Sequence, residues 1–187
     1  MEAVIRSADR VTAEDGAEAL AIQARTDPPA FGALYELHCD AVFRYLRART
    51  SSEDLALELS AITFERAFKA IPRYRTRGGG ILAWLFRIAR NAAADEARRG
   101  RRRGAMSGET PSDVSSPEHL VVRAERRTEL LQRVAGLPEV QRDALALRYG
   151  ASLTAREIAA VLGKSEAATQ KLISRALARL REDLDEA

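Results

Sequence analysis

The sequence is poor in the residues that build disulfide bonds and metal sites. It contains one cysteine, Cys39, and two histidines, His38 and His119. A lone cysteine cannot form an internal disulfide bond, and these three residues do not have the spacing of zinc ligands. We therefore expect no metal site and no cofactor.

Long apolar runs are also missing. No stretch approaches the roughly 18 consecutive apolar residues that a membrane-spanning helix needs, and the first residues lack a signal-peptide pattern. The sequence thus predicts a cytoplasmic protein that does not insert directly into a membrane.

Aromatic residues make up only 5% of the 187 residues, whereas hydrophobic residues reach 46%. Alanine, leucine, arginine and glutamate are abundant, and apolar residues recur at three- and four-residue spacing, which is typical of helices. No segment of useful length alternates as a strand would. The predicted fold class is all-α, with two small helical domains joined by a flexible linker.

Breaks in the helical pattern divide the chain into four parts. Residues 1–27 are polar and acidic, and form an N-terminal extension that could be disordered apart from a short helix. Residues 28–103 form the first domain. Residues 104–125 are rich in Gly, Ser and Pro, which is a linker composition. Residues 126–187 form the second domain.

The net charge of +3 conceals a strong asymmetry. Residues 1–65 have a balance of −6, residues 66–103 a balance of +10, and residues 104–187 a balance of −1. Such a local excess of cations favours a phosphate backbone as the partner. A solvated helix face followed by a flexible basic tail is the alternative that charge alone leaves open.

The C-terminal stretch 153–180 predicts a helix-turn-helix motif. Thr154 and Glu157 have the spacing of a capping box, Gly163 allows a sharp turn, and Ser165 can cap a second, longer helix. Apolar spacing assigns Thr169, Ile173, Ala176 and Leu180 to the buried face of that helix. Any two packed helices with a short turn would look similar, but the small residues and the basic outward face favour a DNA-binding motif.

The residues of this motif that we expect to read base edges or hold phosphates lie on its outward face. They are Arg156, Ser165, Glu166, Ala167, Gln170, Lys171, Ser174 and Arg175.

The segment 81–103 combines large apolar groups with a cluster of arginines. Melted DNA offers exposed base faces beside a charged backbone, so a surface that holds it needs both kinds of group. Arg87, Arg90, Asn91 and Arg98 lie broadly opposite the apolar face and are predicted to contact DNA. Trp84 lies between the two faces and could either pack in the core or contact DNA.

Four motifs occur in the order found in one family. They are "SSEDLALE" (51–58), "TFERAFKAIPRYR" (63–75), "AWLFRIARN" (83–91) with Asp95, and "LPEVQRDALALRY" (137–149). Together with the helix-turn-helix, they resemble bacterial RNA polymerase sigma factors of the extracytoplasmic-function type.

This resemblance implies a function without catalysis: binding core RNA polymerase and directing promoter-specific initiation. The first domain would dock on the β′ clamp through Glu53, Asp54 and Glu58, although the first two could simply cap a helix. The second domain would bind the minus-35 element and the β flap. The linker would approach the RNA exit path, and an anti-sigma factor would be a further partner.

The resemblance also assigns a role to the loop before the basic helix. It would be the specificity loop that captures a base flipped out of the minus-ten element, with Arg73, Tyr74, Arg75 and Arg77 as DNA-binding residues. Tyr74 could stack on that base, and the glycines at 78–80 would allow close backbone approach. A connection between helices without such a role is the alternative.

Two departures from the family pattern bear on function. Residues 57–62 look like one extra helical turn, and Leu172 stands where the recognition helix usually has a basic residue. Two other functions are alternatives: a regulator that binds operators as a dimer, and an enzyme acting on nucleic acid. The first leaves the basic helix unexplained, and the second lacks any recognisable catalytic set.

Overall fold

The computed structural model of the chain describes residues 15–50, 52–76, 78–107 and 133–185. Every element in these ranges is helical, as predicted. None of the helices described is long and apolar enough to cross a membrane. The same ranges contain no group of three or more His, Cys, Asp or Glu side chains that could hold a metal ion.

The first domain contains four α-helices and a short 3₁₀ turn. Helix α1 covers residues 15–23. It is followed by α2 (Pro28–Arg47), α3 (Glu53–Ala70), the 3₁₀ turn (Ile71–Arg73) and α4 (Gly80–Ser107).

The described part of the second domain contains three α-helices longer than one turn. Helix α5 (Glu139–Leu145) continues directly into a π-helical turn (Ala146–Gly150), and α6 (Ala155–Leu162) and α7 (Glu166–Asp185) follow. Residues 133–136 are helical as well.

Local sequence signals set several helix ends. The Ser52 hydroxyl accepts a hydrogen bond from the Leu55 N–H at 3.2 Å, so it caps α3 and leaves Glu53 and Asp54 in the first turn. The 18-residue α3 helix is continuous through the predicted extra turn at 57–62.

Helix α4 extends to Ser107, beyond the predicted domain end at residue 103. Residues 104–107 contain no proline, and Ala105 and Met106 are good helix formers, so the helix has no reason to stop at the arginines. The rest of the predicted linker lies outside the described residues.

Part of the N-terminal extension is folded onto the first domain. The predicted short helix is found as α1, and Ala17 and Ala21 of this helix are buried, as is Ala24 directly after it. They pack against a cluster that includes Leu34, Ile71, Tyr74 and Ile81. The boundary predicted at residue 28 therefore falls inside a packed unit.

The buried stripe of α2 passes through His38 and not Leu37. Spacings of four residues join Leu34, His38 and Val42 on one helix face, whereas Leu37 is 51% exposed. His38 is 8% exposed, and its Nε2 atom has no hydrogen-bond partner.

Burial lowers the pKa of His38 from 6.5 to about 4. The folded state therefore disfavours the proton: the contribution of His38 to stability is complete above about pH 6.5 and is lost as the pH falls towards 4. The loss amounts to ~3 kcal/mol at most.

We expect His38→Leu to flatten the decrease in unfolding free energy between these pH values, measured by urea denaturation. Leu37→Ala is the control that keeps the wild-type dependence, and an unchanged acid slope in His38→Leu would contradict the assignment.

The two domains pack against each other and share one hydrophobic core. From the first domain this core contains Tyr45, Leu85 and Phe86. From the second it contains Leu147, Ile158 and Val161. The sequence predicted two bundles joined by a flexible linker, and no local pattern reveals that helices α4 and α6 meet.

Candidate nucleic-acid interface

The predicted DNA-binding face of α4 is accessible to different degrees along the helix. Asn91 and Arg98 are exposed, whereas Arg87 and Arg90 are partly buried. The opposite face was predicted to be buried at Ile81, Leu85, Ile88 and Ala92. The first, second and fourth of these are buried, and Ile88 is partly buried.

Asp95 holds two arginines at the C-terminal half of this face. Its Oδ2 accepts a hydrogen bond from Arg66 Nη1 at 3.0 Å, and its Oδ1 accepts one from Arg98. Hydrogen bonds from Arg66 and then Arg98 lower the pKa of the Asp95 carboxyl. To contact a phosphate, Arg98 would have to exchange this carboxylate for the DNA backbone.

The loop between the 3₁₀ turn and α4 presents two arginines and encloses its tyrosine. Arg73 and Arg75 are exposed, and Arg77 lies outside the described residues. Tyr74 is 3% exposed, so in this conformation its ring is not available to stack on a base. Burial, followed by the neighbouring Glu18 carboxylate, raises the pKa of the Tyr74 hydroxyl.

Trp84 takes part in the core in this conformation. Its ring meets Tyr74 edge to face, with centroids 5.2 Å apart, and it packs against both the shared core and the cluster beneath α1. It remains partly exposed. The packing role is thus observed, and contact with DNA stays a prediction.

The helix-turn-helix has the predicted local geometry. Thr154 and Glu157 form a capping box at the start of α6, and Gly163 ends that helix with φ of +65°. This left-handed conformation is one that glycine adopts without steric cost. The Ser165 hydroxyl accepts a hydrogen bond from the Ala168 N–H at 3.2 Å and caps α7.

The outward face of α7 is exposed to solvent. Thr169, Ala176 and Leu180 are buried, as predicted, whereas Ile173 is only partly buried. Leu172 is partly buried and packs against the shared core. The predicted readers are all exposed: Arg156, Ser165, Glu166, Ala167, Gln170, Lys171, Ser174 and Arg175.

A buried ion-pair cluster joins the two domains. Asp143 of α5 has no exposed surface, and its carboxylate lies 2.9 Å from Arg49 Nε and 2.6 Å from Arg90 Nε. The Tyr45 hydroxyl donates a third contact to it at 3.1 Å. Arg90, a predicted DNA-binding residue, is therefore already paired with a carboxylate of the second domain.

Asp143 is the sole fully buried acid among the described residues, and several cations surround it. Its hydrogen bond is the main cause that raises the pKa of Arg90. Burial first, and then the proximity of Arg49, lower the pKa of Arg142. One carboxylate thus compensates a crowded set of positive charges at the domain interface.

The second domain contacts the loop just before α4. A Cβ atom added at Gly79 would lie 2.3 Å from the Ala160 Cβ and 2.6 Å from the Ala83 Cβ, closer than real atoms approach. Gly79 also has φ of +91°, so the position requires glycine twice over. The predicted specificity loop and the first helix of the helix-turn-helix are therefore in direct contact.

The predicted polymerase-binding residues form an exposed acidic patch at the start of α3. Glu53, Asp54 and Glu58 are all exposed. Leu57 lies among them and is 53% exposed, which is high for a large apolar side chain. The acids are predicted polymerase contacts, whereas Leu57 between them was not among the predicted residues.

Sequence analysis also missed two carboxylates that organise the interface. Asp143 bonds Arg90 and Tyr45, which are 53 and 98 positions away in the sequence. Glu18 bonds residues of the specificity loop and α4 that are 56 to 63 positions away. Such long-range pairs have no local periodicity, so a single sequence carried no signal for them.

A basic helix with its loop in one domain and a helix-turn-helix in the other define a two-domain DNA-binding protein. Known proteins agree with this division. The family described as sigma-70 region 2 matches residues 34–103, and the family described as sigma-70, region 4 matches residues 127–180.

Relatives extend the match across both domains. The ECF RNA polymerase sigma factor SigM of Bacillus subtilis is 31% identical over 153 residues, which is 79% of this chain and 91% of SigM. SigD of Mycobacterium tuberculosis is 35% identical over 155 residues, covering 76% of this chain and 71% of SigD. BldN of Streptomyces coelicolor is 35% identical over 161 residues, which is 82% of this chain and 61% of BldN. The chain belongs to the ECF family of RNA polymerase sigma factors.

Solved structures share the arrangement of helices. CnrH, solved in complex with the cytosolic domain of CnrY, is 26% identical with a TM-score of 0.68, covering 91% of this chain and 98% of CnrH. RpoE of Bartonella quintana, solved with the anti-sigma factor NepR, gives a TM-score of 0.61 over 83% of this chain and 96% of RpoE. At 23% identity, the second comparison supports the fold alone.

Proposed function

We propose that this protein binds core RNA polymerase and directs promoter-specific initiation, and that it acts by binding alone, without catalysis. The proposal rests on two surfaces suited to DNA: the arginine-bearing α4 with its loop, and the exposed polar face of α7. The first surface suits melted DNA and the second suits an intact major groove. The protein would carry out this function in the cytoplasm.

The exposed start of α3 supports docking to polymerase. An apolar Leu57 among carboxylates offers both a hydrophobic contact and charge complementarity to a basic surface. By family resemblance that surface belongs to the β′ clamp, and the second domain would meet the β flap. Glu53, Asp54 and Glu58 are the proposed contact residues.

The contacts between the domains support a closed state for the free protein. Asp143 pairs with Arg90, and Ala160 contacts the loop at Gly79, which is itself exposed, so Arg90 would have to leave Asp143 to meet promoter DNA. Binding of polymerase would have to separate the domains. An anti-sigma factor is a further proposed partner, because a relative of similar fold was solved with a cytosolic partner domain.

Run-off transcription with purified bacterial core polymerase on a genomic promoter library tests the function. We expect the protein to produce transcripts from a defined set of promoters on which core polymerase alone is silent. Identical transcript sets with and without the protein would contradict the proposal. Footprinting of duplex DNA without polymerase would instead support a conventional operator-binding regulator.

The exposed face of α7 gives a sharper prediction. Gln170→Ala and Lys171→Ala remove groups able to bond base edges or phosphates, and each should weaken preference for the upstream element about tenfold. Selection from a library randomised separately at the minus-35 and minus-ten elements measures this. Arg179→Ala, an exposed cation about two turns further along α7, is the matched control. Unchanged upstream preference in both variants would show that this face is not the reader.

A further inference from the structure

The carboxylate of Glu18 connects the two ends of the specificity loop. It accepts hydrogen bonds from the Tyr74 hydroxyl at 2.9 Å and from the Thr76 hydroxyl, both before the glycines. It also accepts one from the Ile81 backbone N–H at 2.8 Å, after them. One side chain of α1 thus holds both sides of the segment between residues 76 and 81.

The placement of this carboxylate is fixed by packing. Ala17 and Ala21 flank Glu18 on the inner face of α1 and are buried against the first domain, so the helix approaches the loop closely. Glu18 itself is partly buried. Its position therefore depends on a packed helix and not on a free side chain at the surface.

Two physical effects make this arrangement strong. The Ile81 N–H lies in the first turn of α4, where backbone donors lack helical partners and the helix dipole favours negative charge. Hydrogen bonds to an ionised carboxylate are stronger than those between neutral groups. Glu18 serves the purpose of a helix cap supplied by a distant part of the chain.

The loop cannot fix its own conformation. Gly79 and Gly80 have φ of +91° and +61°, values that glycine adopts freely, and glycine loses the most conformational freedom when ordered. Any contact that such a loop makes with DNA must offset the cost of ordering it. A carboxylate that orders the loop beforehand reduces that cost.

We propose that Glu18 is a positioning residue for minus-ten recognition: it holds the loop in the conformation that captures the flipped base without touching DNA itself. This inference rests on the proposed function, because the loop's role in base capture belongs to that proposal. It gives a part of the N-terminal extension a role in promoter selectivity.

The test compares full-length Glu18→Ala and Glu18→Gln with the unsubstituted protein, each combined with core polymerase. Transcription from libraries randomised separately at the minus-ten and minus-35 elements gives the base preference at each position. We expect Glu18→Ala to reduce discrimination at the minus-ten element about tenfold, because three bonds to a charged acceptor are lost. Glu18→Gln keeps an amide oxygen as acceptor and should lie between. Minus-35 preference should not change.

Further variants separate positioning from other roles. Tyr74→Phe removes one donor to the carboxylate and should reduce minus-ten discrimination to a smaller extent. Glu36→Gln, an exposed carboxylate on α2, is the matched control. Simple destabilisation of the domain would lower output at all promoters and leave their ranking intact, so an unchanged minus-ten ranking in both Glu18 variants overturns the proposal.

Two other results have distinct meanings. Higher output from all promoters in Glu18→Ala with an unchanged ranking would overturn positioning and identify Glu18 as a block on the loop. If the unsubstituted protein starts no transcripts, the proposed function fails, and the role in promoter selection fails with it. A normal wild-type response with unaltered variants contradicts the role of Glu18 alone.

Discussion

Replacing Asp143 with alanine is expected to separate the two domains of the free protein. The substitution removes the carboxylate that compensates Arg49, whose side chain is only 8% exposed, and Arg90. An uncompensated buried charge costs about 3–5 kcal/mol. The protein can avoid this penalty by opening the interface, because water then solvates both guanidinium groups.

A change of about 3 kcal/mol shifts a closed-to-open ratio by roughly 100-fold. Energy transfer between dyes at two exposed positions, Glu36 in the first domain and Arg179 in the second, measures the separation. The dyes would be attached to cysteines introduced as Glu36→Cys and Arg179→Cys in a Cys39→Ser background. We expect a longer mean distance in Asp143→Ala and an intermediate one in Asp143→Asn, which keeps an acceptor for Tyr45 but loses the charge.

Asp40→Ala provides the matched control for this experiment. Asp40 also pairs with an arginine, Arg44. Their charged groups are 3.9 Å apart, and the Asp40 side chain is 88% exposed. Exposed pairs of this kind contribute about 0–1 kcal/mol. The control should leave the distance unchanged, and an equally unchanged distance in Asp143→Ala would show that the cluster does not hold the domains together.

Opening should also affect binding to DNA in the absence of polymerase. Release of Arg90 adds a cation to the predicted DNA surface, so Asp143→Ala should bind forked promoter DNA more tightly than wild type and with a steeper salt dependence. Fluorescence anisotropy over a range of salt concentrations measures both quantities. Weaker binding in the opened variant would argue against Arg90 as a phosphate contact.

The features predicted from sequence are those with local causes. The capping box of Thr154 and Glu157 and the turn at Gly163 depend on residues within a few positions, and the buried face of α7 follows from helical spacing. These signals are complete within a short stretch of sequence. The helix-turn-helix and its exposed face were predictable for that reason.

The features that escaped prediction depend on distant partners. Arg90 looked like a cation free to bind phosphate, because its partner Asp143 lies 53 residues away. Tyr74 looked like a stacking platform, because Glu18, which bonds its hydroxyl, lies 56 residues away. The packing of two domains decides which polar groups are available, and single-sequence periodicity contains no information on that packing.

Arg87→Ala and Arg90→Ala are expected to differ in the free protein and to agree in the complex with polymerase and promoter. In the open complex each variant should lose a phosphate contact, so each should destabilise the complex and reduce the salt dependence of its formation by about 0.7 in the log–log slope, the value for single-stranded DNA. In the free protein Arg90→Ala also removes a partner of Asp143, whereas Arg87 has no place in that cluster. Only Arg90→Ala should therefore increase the distance between the domains.

This difference separates a structural role from a DNA-binding role in one pair of variants. Arg49 still compensates Asp143 after Arg90→Ala, so the domains should open less than in Asp143→Ala. Lys69→Ala is the control for charge alone, because Lys69 is exposed, is paired with Glu65 on α3 and is not among the predicted DNA-binding residues. If open-complex formation keeps its wild-type salt slope in both arginine variants, α4 does not hold the phosphates. Arg90 would then serve the closed state only, through its ion pair with Asp143.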